Sequence, residues 1–256
     1  MKVEVLLFMY RAPPPSALLA IKGMLDHTER QGISVDWKIY GNALVHTSRN
    51  LALAKVSPDA DYVLFVDDDM IPPKESLLRL IGHHLPIVSA PCTTKIEPID
   101  LVARLYHEPS DQFVPLDYLR PNHVCKGKFA VGMAFCLVSR ELCQQAIEDY
   151  LAAEDWMALN LPLMNRLHVR AEFREKERKR KEQIRRSRFE RDRYLRVFDF
   201  DVGDDELQRG EDIAFSRRLL RMGVEVAIDT ACQVGHMGER PYGFWDVEQR
   251  MEDSAA

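Results

Sequence analysis

Short apolar runs alternate with amphipathic stretches along the first hundred residues. Val3–Met9 is a compact apolar run that predicts a strand. Ser16–Arg30 follows the Pro13–Pro15 turn, repeats apolar positions at helical spacing, and predicts a helix capped by Ser16. The same reading gives a strand at Ser34–Tyr40, a helix at Thr47–Val56 and a third strand at Asp61–Val66. Beyond Pro72-Pro73 it gives a helix over Lys74–His83 and a fourth strand over Pro86–Ala90. Phe129–Val138 is apolar enough for a core strand, running into a helix over Arg140–Ala153; later come a helix over Ile213–Arg221 ending at Gly223 and a strand over Val224–Ile228. Repeated strand–helix units predict an α/β domain with a mainly parallel central sheet and helices on both faces.

Residues 164–198 break this pattern. Between Phe173 and Phe189 the only strongly apolar residue is Ile184, so the stretch has no core face to offer. It is rich in helix formers and in acid–base pairs four apart: Glu172–Lys176, Glu175–Lys179, Glu177–Lys181 and Glu182–Arg186. Such pairs each stabilise a solvated helix by about 0.2–0.5 kcal/mol. A protruding helix or helical hairpin is the expected form, a basic insertion in an otherwise single domain spanning 1–256.

Charge sharpens this contrast. Residues 166–196 hold fourteen Lys/Arg against six Asp/Glu, +8, while the remainder holds twenty-one against thirty-four, −13, giving the net charge of −5. No run of about 18 apolar residues exists, so no membrane span is expected. Val3–Met9 is too short for the apolar region of a signal peptide and reads as structure instead. The five cysteines form no Cys-x-x-Cys pair, which fits reduced thiols in a cytoplasmic protein better than a disulfide frame or zinc site.

The densest chemistry is Asp67-Asp68-Asp69, directly after the apolar strand. Ligands of open α/β sheets bind at the carboxyl ends of strands. Three adjacent carboxylates there repel one another unless a cation compensates, and Mg²⁺ or Mn²⁺ suits a few carboxylates plus phosphate oxygens. An acidic turn capping the next helix would use the same residues. Asp199–Asp204 fails as a calcium loop: its glycine comes one place early and Gly210 stands where an acid is required.

The order His46-Thr47-Ser48-Arg49-Asn50, helix, Tyr62–Val66, Asp triplet resembles the donor half of family-2-like GT-A glycosyltransferases. Val131–Phe135 ending in Ser139-Arg140-Glu141 resembles the acceptor-side strand of the same family, Gly210-Glu211-Asp212-Ile213 its Glu-Asp motif facing the acceptor, and Gly235-His236-Met237-Gly238 the late histidine that completes its metal site. The resemblance implies a Rossmann-like GT-A fold with a donor-binding half over 1–110 and an acceptor and catalytic half over 127–245. It implies a nucleotide-sugar donor and Mn²⁺ or Mg²⁺ held by Asp67, Asp69 and His236, Asp69 being the more direct ligand. Arg49, Asn50, Asp67 and Asp68 would line the donor, with Arg11, and with Arg240 and Tyr242 on a flap over Glu239–Trp245 that the glycines leave mobile. Arg49 would meet either the nucleotide or a carboxylate. Asp212 would be the general base of an inverting reaction, with Glu211 orienting it or binding acceptor. Family members often read uracil with an Asp after the second strand, where this chain has Tyr40-Gly41-Asn42, so the nucleobase stays open.

Two other classes compete. A sugar-nucleotide nucleotidyltransferase would want a glycine-rich basic loop after the first strand, whereas Tyr10–Pro15 has no glycine. A non-catalytic nucleic-acid-binding module would not need the triplet, the Glu-Asp pair and His236 together. For the acceptor, the basic insertion, with Arg178, Lys179, Arg180, Lys181, Arg185 and Arg186 at its centre, is the footprint of a polyanion holder. DNA carrying a hydroxymethylated base, such as 5-hydroxymethylcytosine, would supply both charge and hydroxyl, and some phage-type GT-A-like enzymes glycosylate such DNA. A glycan or lipid-linked acceptor is the runner-up; a merely solvated helix or an anionic membrane surface would also account for the charge.

Overall fold

The computed structural model describes residues 1–10, 12–41, 44–95, 99–116, 118–152, 175–176, 178–179, 182, 196–198, 201–202, 208–238 and 241–255. The central sheet has seven strands: β1 (Lys2–Met9), β2 (Ser34–Gly41), β3 (Tyr62–Asp67), β5 (Ile87–Ser89), β8 (Val124–Gly127), β10 (Phe135–Ser139) and β13 (Val226–Asp229). The shorter strands are β4 (Met70–Ile71), β6 (Arg104–His107), β7 (Gln112–Pro115), β9 (Phe129–Ala130), β11 (Asp201–Val202), β12 (Gln208–Arg209), β14 (Gly235–Met237) and β15 (Pro241–Tyr242). The helices are α1 (Pro15–Arg30), α2 (Val45–Ala54), α3 (Ser76–Ile81), α4 (Arg140–Ala152), α5 (Glu211–Arg221) and α6 (Phe244–Ala255).

The sheet order is β2-β1-β3-β10-β5-β13-β8. β1 pairs in parallel with β2 and β3, and β5 with β13, while β10 and β8 run against their neighbours. Five of the seven strands therefore share one direction, the mainly parallel α/β sheet that the repeating pattern predicts. Strand residues alternate between two cores. Leu6, Phe8, Val63, Phe65, Cys136 and Val138 pack with residues of α2, α4, α5 and α6; Val3, Val5, Leu7, Leu64, Val66 and Leu137 pack with α1 and α3. Both faces are thus covered, which is why these strands read as continuous apolar runs.

Phe129–Val138 is a correction. It breaks into β9, in the small sheet β7-β6-β9, and β10, in the central sheet. The break falls at Gly132, where a Cβ would come within 3.3 Å of Val102 Cγ1, so the chain passes its neighbour closely before turning. The hairpin β6–β7 was not expected; its half-polar strands turn through Asp111, whose φ of 51° is left-handed. Helix α2 begins at Val45, earlier than expected, and α3 is shorter. The insertion over 164–198 lies largely outside the described residues. The expected Glu175–Lys179 pair is present at 3.4 Å, and Arg178 bonds both Glu175 and Glu182.

The five cysteines are free thiols. None of the described helices is long and apolar enough to cross a membrane.

Candidate active site

The carboxyl ends of the parallel strands β1 and β3 meet the start of α5 and the middle of α2. The Asp triplet is fixed there by its backbone: the Asp67 N–H donates to Ala134 O at 2.9 Å and the Asp68 N–H to Phe8 O at 3.0 Å. The Asp69 carbonyl accepts the Met237 N–H at 2.8 Å, within the small sheet β15-β14-β4. That pairing carries His236 to the triplet from 167 residues further along the chain (236 − 69).

Arg49 is the hub. Its guanidinium is buried, 2% exposed, and touches three carboxylates. Nη1 donates to Glu211 Oε1 at 2.7 Å and to Asp212 Oδ1 at 2.5 Å; Nη2 donates to Asp67 at 3.1 and 3.3 Å. It also lies 5.8 Å from the Phe8 ring centroid. Burial works against the charged guanidinium, but Asp212, Asp67 and Glu211 outweigh it and raise its pKa further. Of the two roles the sequence left open for Arg49, carboxylate partner is the one observed.

Asp212 is held in the first turn of α5, after Gly210. Burial pushes its carboxyl up to about 6 against the pull of Arg49, with Glu211 and Asp67 adding to the rise. Asp212 lines two cavities. One, of about 470 Å³, contains Asp67, Asp68, Asp69, Arg49, Lys95 and Tyr10 in its wall. The other, of about 500 Å³, is mostly aliphatic, lined by residues such as Leu116 and Ile213, with Asp100 and Arg104 among its polar groups. A carboxylate in the wall of both can take a proton from a group bound in one as it attacks a group bound in the other.

The metal site is only partly as expected. No three or more His, Cys, Asp or Glu side chains gather as a ready-made centre among the described residues. Asp67 is bonded to Arg49, leaving Asp69 and His236 as a pair. His236 Nδ1 lies 2.8 Å from the Thr93 carbonyl, which can only accept, so Nδ1 carries the proton. The other nitrogen, Nε2, faces Asp69 Oδ1 at 3.1 Å. That oxygen is buried without a well-directed hydrogen bond. A ring lone pair facing a carboxylate oxygen requires a positive charge between them, a second proton or a metal ion, and a backbone carbonyl behind the other nitrogen is the usual support of a metal-bound histidine. The donor set fits a hard divalent ion that takes its remaining ligands from phosphate and water. Burial would raise the Asp69 carboxyl, but the close approach of His236 and the bonded Lys95 ammonium hold it down to about 2.

Two further expectations are corrected. Asn50 is not in the pocket wall: its amide clasps the Phe198 backbone, accepting the N–H at 2.8 Å and donating to the carbonyl. Tyr242 is buried in the core, its strand β15 laddered to β14. Phe244 is buried in the same core, so the described part of the supposed flap is packed in place. Arg11, Arg240, Arg180, Lys181, Arg185 and Arg186 lie outside the described residues; Arg178 and Lys179 are exposed and paired within their own segment. The sequence reading missed Lys95, whose ammonium bonds Asp69, and Arg104 beside the second cavity. Neither belongs to a motif.

No family model and no curated protein matches the chain. Among solved structures it is similar to the catalytic domain of Drosophila beta1,4-galactosyltransferase 7 in complex with xylobiose, at 18% identity over 59% of this chain and 52% of that one, TM-score 0.35. A mutant of that enzyme in complex with manganese, UDP-Gal and xylobiose matches at 19% identity over 57% and 52%, TM-score 0.35. The 4-diphosphocytidyl-2C-methyl-D-erythritol synthase of Anaerococcus prevotii matches at 15% identity over 59% and 77%, TM-score 0.35. The match spans about half the length of the galactosyltransferase chains. Likenesses this loose carry no argument about function, which rests on the site itself.

Proposed function

We propose that the chain is a metal-dependent glycosyltransferase that moves a sugar from a nucleotide-sugar donor to an acceptor hydroxyl in one inverting displacement. The observation that carries this reading is Asp212 in the shared wall of two cavities, with the triplet on one side and an aliphatic chamber on the other. The donor diphosphate would lie against Asp69 and His236, which would hold Mn²⁺ or Mg²⁺. When bound, such an ion offsets negative charge on the departing diphosphate. Asp212 accepts the proton of the acceptor hydroxyl, and Arg49, itself bonded to Glu211, holds that carboxylate in place. Its raised pKa is near the useful range for a base at neutral pH.

Asp69→Ala tests the donor side. By calorimetry, the Mn²⁺-dependent affinity for a nucleoside diphosphate should disappear while the melting curve stays close to the parent's. Unchanged affinity would remove Asp69 from the site.

For the acceptor we propose DNA carrying a hydroxymethylated base, on the strength of the fourteen basic residues over 166–196. If about five of them meet phosphates, log affinity should fall with log salt at a slope of roughly −4 to −5, near −0.9 per phosphate. Replacing Arg178, Lys179, Arg180 and Lys181 by Ser should flatten the slope, raise KM for DNA and leave acceptor-free donor hydrolysis unchanged. The ion pairs of Arg178 and Lys179 with Glu175 and Glu182 favour the alternative, a glycan or lipid-linked acceptor with the basic segment as a solvated helix. Absence of DNA binding at low salt would decide for it.

A further inference from the structure

Lys95 stands in the donor-side cavity, bonded to Asp69 Oδ2, while His236 faces the other oxygen of the same carboxylate. Asp69 is therefore flanked on both oxygens before any ligand arrives. The base of Lys95 is anchored. Thr93 pairs with Leu101 in an isolated bridge and gives its carbonyl to His236; the Thr94 N–H donates to Asp100 O at 2.9 Å, and the Asp100 N–H to Thr94 Oγ1 at 3.0 Å. Its stem is not: the side chain is 32% exposed at the cavity, and four methylenes allow the ammonium to move several ångströms without moving the backbone.

Resting on the donor-site reading above, we propose that Lys95 is an exchangeable counter-ion: it neutralises Asp69 in the free protein and transfers its ammonium to the diphosphate when that group arrives with its metal ion. Charge explains why it must move. A divalent ion at Asp69 and an ammonium bonded to that same carboxylate would repel at short range in a partly dry cavity. The metal alone must displace Lys95 into water, against the charge-assisted hydrogen bond it breaks. The metal with a diphosphate offers Lys95 new anionic partners, so the exchange becomes nearly balanced. The consequence is positive coupling between metal and diphosphate, with little binding of the metal on its own. Asp69 then avoids standing as an uncompensated buried carboxylate between turnovers.

The coupling is measurable without turnover. Free Mn²⁺ is titrated by electron paramagnetic resonance with and without inorganic pyrophosphate, using the parent, Lys95→Met and Lys95→Arg. Lys95→Met should bind Mn²⁺ alone more tightly than the parent and Mn²⁺-pyrophosphate more weakly. The coupling between the two ligands should fall by about five-fold or more, within the usual range of such couplings. Lys95→Arg should restore much of the pyrophosphate affinity. A lysine with only a structural role would lower both affinities together or neither, and either result overturns the proposal. If the parent itself shows no Mn²⁺-dependent pyrophosphate binding, the donor-site reading fails with it. If the parent shows such binding and Lys95→Met matches it, the counter-ion role alone fails.

Discussion

Asp212→Asn should lower turnover by about 10²–10⁴-fold, the usual contribution of a general base, with donor affinity almost unchanged. Asn keeps the size of Asp, and its carbonyl oxygen still accepts from Arg49, so the clamp on Asp67 and Glu211 is preserved. What is lost is the ability to take a proton. In the proposed role Asp212 must be ionised, and with its carboxyl raised to about 6 the parent should show an acid limb near pH 6. Activity is therefore present above that pH and falls about ten-fold per unit below it. The same shift has a stability consequence of opposite sense. Between the ordinary carboxylate range and about pH 6 the folded protein binds this proton more readily than the unfolded chain, so stability declines as pH rises through that window. Asp212→Asn should then melt no lower than the parent at pH 7.5, a trade of stability against activity typical of functional carboxylates. Steady-state kinetics over pH 5–8 and thermal melts check both. Near-normal turnover would move the base to Glu211 or point to a retaining reaction.

Buried strands were readable from the chain because both of their faces are apolar. β1 and β3 match the expected Val3–Met9 and Asp61–Val66 to within a residue at either end. Direction was not readable. β10 runs against both neighbours, yet its apolar residues would suit either sense, and hydrophobicity alone does not set hydrogen-bond polarity. The hairpin β6–β7 escaped because its strands are short and half exposed, although Pro109, Ser110 and Asp111 form a turn signal that could have located it. At the site, residue type was legible and partnership was not. Asn50 and Arg49 are adjacent at one helix, but one closes on the Phe198 backbone and the other on carboxylates 162 and 163 positions away. Lys95 carries no local pattern at all. The pairing of Thr93 with His236 and the course of β14 help bring it to Asp69.

Removing the hub should produce the largest change in stability. In Arg49→Met the carboxylates of Asp67, Glu211 and Asp212 lose a cation bonded to all three. Breaking a buried ion pair from one side typically costs about 3–5 kcal/mol, because the abandoned charge remains buried. The lower end applies here, since the side chains of Asp67 and Asp212 keep 27% and 26% of their surface in water. For a chain of this size each kcal/mol corresponds to roughly 2–4 °C, so a loss of about 3 kcal/mol should lower the melting temperature by roughly 6–12 °C. The sign of the pH dependence identifies the cause. Without Arg49 the clustered carboxylates bind protons more readily when folded than when unfolded, so the loss is greatest above neutrality and is relieved as pH falls. Melts of the parent and the variant should differ most at pH 8 and converge toward pH 5. Arg49→Lys should fall between them, because a single ammonium cannot reproduce the two-armed contact to Asp67 and the α5 pair. An equal deficit at both pH values would mean that Arg49 acts through its packing against Phe8 rather than through its charge.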